Sequence, residues 1–151
     1  MARRVAVLHG PSLNLLGRRE PAIYGTATLA DIDARLVALG TTLGLEVECA
    51  QHNAEGALVD TIHGWLDRVD GAIVNAGAYT HTSLAIADAL AAVAVPYVEV
   101  HLSNVYAREP ERRRSALAAG AIGVICGFRG ESYELALRAL ASRLGATDTA
   151  A

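Results

Sequence analysis

Short apolar runs and helical-period segments take turns along this chain, with no linker and no internal repeat. That alternation narrows the possible folds more than any other feature. Residues 4–8, 45–50, 72–75, 121–126 and the first half of 96–112 read as strands, rich in β-branched residues. Between them, 28–43, 55–68, 83–95 and 132–144 carry apolar residues at helical spacing. Thr28 and Asp31 have the spacing of a capping box, and Gly44 closes that helix. Leu58, Ile62, Trp65 and Leu66 are expected to face inward from the second helix. Five βα units in strict alternation predict a parallel sheet with right-handed crossovers and helices on both faces. The order 2-1-3-4-5, the flavodoxin-like arrangement, is the common five-stranded solution. At 151 residues the chain is expected to form one domain spanning 1–151, with 145–151 expected to be a frayed tail.

On that topology the loops after strands one, three and four converge at the carboxyl end of the sheet, where ligands bind in such folds. Those loops hold the unusual polar residues. In the fourth strand Glu99 and His101 are two apart and share a face, while Val98, Val100 and Leu102 point the other way. A carboxylate inside a sheet needs a partner, and the imidazole can supply it. Ser103, Asn104, Arg108 and Arg112 follow in the loop, suited to an anionic, hydroxylated small molecule. A core His–Glu pair beside a solvated arginine cluster is the plainer alternative. Residues 12–27 read as a long loop containing Arg18, Arg19, Glu20, Pro21 and Tyr24, a length more typical of a functional lid than of filler.

Composition removes several function classes. All thirteen basic residues are arginine, so a lysine Schiff base and a P-loop lysine are both impossible. Net charge is −3, which gives no reason to expect a nucleic-acid partner. Although 52% of residues are hydrophobic, no apolar run reaches membrane-spanning length. No signal peptide is visible, and Cys49 and Cys126 read as buried thiols in a reducing cytoplasm. His9, His81, Glu99 and His101 have no strong metal-ligand spacing, so no metal is expected. Neither cysteine lies where it would be activated, and 10–17 matches no phosphate-binding fingerprint.

Acid–base chemistry is left. Lowering a tyrosine by three pKa units takes about 4 kcal/mol. A guanidinium at about 4 Å, at an effective dielectric near 20, supplies about that much. Arg19 could therefore hold Tyr24 as a phenolate base, and His101, oriented by Glu99, could donate a proton to a leaving hydroxyl. The alternatives are that Tyr24 anchors the lid by packing and that Arg19 pairs with Glu20.

These residues, read together, resemble the type II 3-dehydroquinate dehydratases over nearly the whole chain. The matching segments run from Gly10-Pro11 through Leu13-Asn14, Leu16-Gly17, Arg19-Glu20-Pro21 and Tyr24-Gly25. Others are Glu55-Gly56, Asp60 with Ile62-His63, Asn75-Ala76-Gly77, Thr80-His81-Thr82-Ser83, Glu99-Val100-His101, Ser103-Asn104, Arg108-Glu109 and Arg112. The resemblance implies a cofactor-free dehydration of 3-dehydroquinate to 3-dehydroshikimate in the shikimate pathway, by anti elimination through an enolate. Tyr24 would take the α-proton, Arg19 would favour its phenolate, His101 would protonate the departing hydroxyl and Glu99 would orient His101. Asn75, His81 and Arg112 would hold hydroxyls, while Leu102 and Ser103 would receive the carboxylate. Asp88 would reach a neighbour's site across a trimer interface within a homododecamer.

Two departures stand out. Ser12 occupies the position of the family's asparagine, which helps to stabilise the enolate. Pro110-Glu111 precede Arg112 where the family usually has an aromatic. Ser12 leaves open a related substrate, such as an amino analogue, and a weakly active or non-catalytic relative that retains the pocket.

Overall fold

The computed structural model describes residues 2–18, 20–24 and 26–146, without the side chains of Pro21 and Tyr24. Five strands, β1 (Arg3–His9), β2 (Leu45–Gln51), β3 (Gly71–Asn75), β4 (Tyr97–His101) and β5 (Gly123–Cys126), form one sheet. All neighbours are parallel and the order is β2-β1-β3-β4-β5, as the alternation predicts. The helices are α1 (Pro21–Tyr24), α2 (Leu29–Thr42), α3 (Glu55–His63), α4 (Leu84–Val93) and α5 (Glu131–Arg143).

Strand alternation sorts the core into two layers. Val5, Val7, Ile73, Val98, Val100 and Leu102 pack with Ile32 and Leu36 of α2 and with Leu137 and Leu140 of α5. Ala6, Leu8, Ala72, Val74 and Tyr97 face the other way, against Leu58 and Ile62 of α3 and Ile86 and Leu90 of α4. Residues of one strand thus reach opposite layers, and a site residue draws its support from the layer it faces. Among the described residues, no helix is long and apolar enough to cross a membrane.

Four expectations need correction. The β4–β5 connection holds no α-helix; it runs through short 3₁₀ turns at Val105–Ala107, Pro110–Arg112 and Ala118–Gly120. Asn104 starts the first by accepting a hydrogen bond from the Tyr106 N–H, and Pro110 enters the second. Residues 12–27 are not a plain loop, since they contain a 3₁₀ turn at Leu13–Leu15 and α1. The second helix ends at His63 rather than at 68, so Trp65 is buried while Leu66 is 56% exposed. Both cysteines are half-buried rather than fully enclosed. The tail at 147–151 lies outside the described residues.

Backbone contact brings the loop after β1 onto the loop after β3. A Cβ at Gly10 would come within 2.4 Å of the Ala76 carbonyl carbon and oxygen, so only glycine fits there. Gly77, at φ +58°, sits against Pro11 in the same contact.

The capping box of α2 is formed as expected. Thr28 Oγ1 accepts from the Asp31 N–H at 3.1 Å, and the Asp31 carboxylate accepts from the Thr28 N–H at 3.0 Å. The Thr28 backbone N–H, then its hydroxyl, hold the Asp31 carboxyl below its ordinary value. A carboxylate whose folded value is depressed stabilises above the unfolded pKa of about 4, and that contribution fades as pH falls through the folded value. Thr28→Ala is expected to cost about 1 kcal/mol in urea unfolding at pH 7. The difference from wild type should shrink below about pH 4.

Candidate active site

β1, β3 and β4 end side by side, and their following loops enclose a cleft of about 140 Å³. Pro11, Ser12 and Leu13 enter from β1. Asn75, Gly77, Ala78 and His81 enter from β3, and His101, Leu102, Ser103, Val105, Arg108 and Arg112 from β4.

Glu99 is 2% exposed, and both its oxygens are taken. Oε2 lies 2.7 Å from His101 Nε2, and Oε1 accepts the Ser115 hydroxyl at 2.6 Å. A carboxylate only accepts, so the imidazole proton on that side sits on Nε2. Nδ1 is the remaining ring nitrogen of His101, whose ring lines the cleft. Ser115 Oγ accepts the N–H groups of Leu117 and Ala118 at 3.0 Å each, which leaves its own proton for Glu99. His81 stacks near His101, with ring centroids 6.2 Å apart. Its Nδ1 meets the Arg114 carbonyl at 2.7 Å, so Nδ1–H donates there and Nε2 is left over for a ligand.

Two guanidiniums give the cleft its sign. Arg108 and Arg112 line it, and both pair with Glu109. The Glu109 carboxyl is held below its ordinary range by its own backbone N–H first and by Arg112 next. One exposed carboxylate against two arginines leaves the cleft suited to an anion. Ser12 lies in the cleft at φ 66°, a left-handed conformation that asparagine adopts more readily than serine.

The structure thus brings together Ser12, Asn75, His81, His101, Leu102, Ser103, Arg108 and Arg112, with Glu99 behind His101. Asp88 is not among them: it is exposed on α4, away from this cleft of its own chain. Arg19 and the side chain of Tyr24 lie outside the described residues; the Tyr24 backbone ends α1.

Sequence reading missed Ser115, Asp33 and Tyr133, and saw His9 only as a weak metal ligand. Ser115 lies sixteen residues from Glu99, beyond any local spacing rule. Tyr133 is fully buried on α5, in a row of positions otherwise filled by aliphatic residues. Among the described residues, His9, Asp33 and Cys49 place possible metal-ligand atoms within 4.8 Å of one another. The His9–Asp33 contact is at hydrogen-bond distance, 2.7 Å. Burial, then Asp33, push the Cys49 thiol far up, so it stays protonated and is a poor ligand as it stands.

The family model described as "Dehydroquinase class II" matches residues 3–141. A 3-dehydroquinate dehydratase of Gemmatimonas aurantiaca is 59% identical over 140 residues, covering 93% of this chain and 92% of the relative. One of a Synechococcus strain is also 59% identical over 140 residues, covering 93% and 96%. The crystal structure of a type II dehydroquinase from Propionibacterium acnes superposes with a TM-score of 0.90 at 45% identity, over 94% of this chain and 98% of that one.

Ser115→Ala leaves Glu99 Oε1 buried without its donor. It should lower stability by about 1–3 kcal/mol in urea unfolding at pH 7. A loss below about 0.3 kcal/mol would show that Glu99 does not depend on this hydroxyl.

Proposed function

Because the chain belongs to the class II dehydroquinase family, we propose that it dehydrates 3-dehydroquinate to 3-dehydroshikimate in the shikimate pathway, without a cofactor. The observation that carries this reading is the imidazole of His101, pinned through Nε2 by a buried carboxylate and set among two arginines and several neutral hydrogen-bonding groups. An elimination from a hydroxylated carboxylate needs that set: an anion site, hydroxyl partners and a proton donor for the leaving group.

The reaction is an anti elimination through an enolate. Tyr24, as phenolate, takes the proton from the carbon next to the ketone, and the bonding pair moves onto the ketone oxygen. Arg19 favours the phenolate by its charge. The enolate then collapses and expels the hydroxyl from the opposite face, while His101 gives it the proton on Nδ1, so water leaves. Glu99 is a positioning residue that fixes the ring and stabilises the imidazolium. Leu102, Ser103 and Arg108 receive the substrate carboxylate, and Asn75, His81 and Arg112 hold the ring oxygens. Ser12 stands where an amide would otherwise help the enolate, and a water can bridge the space its shorter side chain leaves.

The chain acts as a homo-oligomer, a dodecamer of trimers in which Asp88 of one copy serves a neighbour's cleft. Support comes from α4, whose outward side carries Asp88 beside Leu84, 72% exposed, and exposed alanines. A cytoplasmic location fits an enzyme of biosynthesis with no membrane-spanning helix among the described residues.

The wild-type protein should convert 3-dehydroquinate to an enone absorbing in the near ultraviolet, unaffected by EDTA or borohydride. Tyr24→Phe and His101→Ala should each lower kcat by about 10²–10⁴-fold while the oligomer stays folded. A folded wild-type oligomer that produces no enone would refute the assignment.

A further inference from the structure

Behind Asn75 lies a second buried polar chain, on the opposite layer from Glu99 and Ser115. Asn75 Nδ2 donates to the Tyr133 hydroxyl at 3.0 Å. That hydroxyl is 2.8 Å from His9 Nδ1, and His9 Nε2 is 2.7 Å from Asp33 Oδ1. His9 and Tyr133 are both 0% exposed and Asn75 is 3% exposed. Asp33, on α2, is where the chain approaches solvent, its side chain 32% exposed.

The partners assign every proton. Asp33 as a carboxylate only accepts, so His9 carries its proton on Nε2 and Nδ1 is an acceptor. The Tyr133 O–H therefore donates to His9 Nδ1, and its oxygen is left to accept from Asn75. Burial pushes the Tyr133 phenol far up, so it remains an O–H donor at any working pH. At its other end, Asn75 Oδ1 accepts the Gly77 N–H at 3.2 Å. The amide is thus held at both ends and cannot flip. Its second N–H is the group left to offer to the cleft.

We propose that His9, Tyr133 and Asp33 are positioning residues that set the Asn75 amide as a hydrogen-bond donor toward a substrate oxygen. This rests on the dehydratase reading above. The chain orients rather than shuttles protons, because an amide does not readily pass a proton on. It specifies that Asn75 meets an oxygen lone pair of the substrate, a hydroxyl or carbonyl accepting, and not a donated O–H.

The test is a double-mutant cycle in steady-state kinetics. Tyr133→Phe keeps the ring and removes the acceptor, so kcat/KM should fall about tenfold, mostly through KM. In an Asn75→Ala background the same change should have less than about a twofold effect. Asp33→Ala, at the exposed end, should show the same pattern at about threefold, and it decides the matter if Tyr133→Phe does not fold. Wild-type turnover with variants unaffected, or losses that multiply undiminished in the Asn75→Ala background, would overturn the inference while the dehydratase reading stands. No turnover by folded wild type would overturn both.

Discussion

A carboxylate buried in the middle of a parallel sheet is the constraint around which the candidate site is built. Glu99 sits on β4 with apolar neighbours on either side, where an unpaired charge would be far more costly than the net stability of a domain this size. Its place is tolerable because His101 and Ser115 occupy both oxygens. The same two contacts fix an imidazole at the strand end and tie the irregular β4–β5 connection onto the sheet. Structure and chemistry are therefore hard to separate here: the donors that make the charge bearable also hold the ring that can use it.

The sheet delivers side chains to the cleft from both of its faces. β4 sends His101 from the layer shared with α3 and α4. β1 and β3 send His9 and Asn75 into the layer of α2 and α5, where Tyr133 and Asp33 meet them. His101 and Asn75 are thus each backed by a buried partner on its own side. Gly10 and Gly77 let the two loops that carry this material press together without a Cβ between them.

Much of this was legible in the residues. Alternating strand and helix patterns determined the order of the sheet, since right-handed crossovers leave few other solutions. The two-residue spacing of Glu99 and His101 placed them on one face, and the topology brought Asn75 and Ser12 to the same end. What could not be read depends on contacts distant in sequence. Ser115 is an ordinary serine until the chain folds it under Glu99, and Tyr133 looks like core because it is core, differing from leucine there by one hydroxyl. The missing helix between β4 and β5 has a local cause: Asn104 and Pro110 each begin a tight turn, and Arg108, Arg112 and Ser115 must all turn inward from one short connection. The helix ending at His63 reflects the same limit, since Leu66 continued the apolar period after the backbone had left it.

The most direct measurement is a crystal structure with an unreactive analogue of 3-dehydroquinate bound. Its carboxylate is expected at Leu102 and Ser103, the oxygen in the leaving-group position within hydrogen-bond reach of His101 Nδ1, and Tyr24 across the ring on the other face. An analogue seated with His101 turned away, or with Tyr24 on the same face as His101, would contradict that expectation.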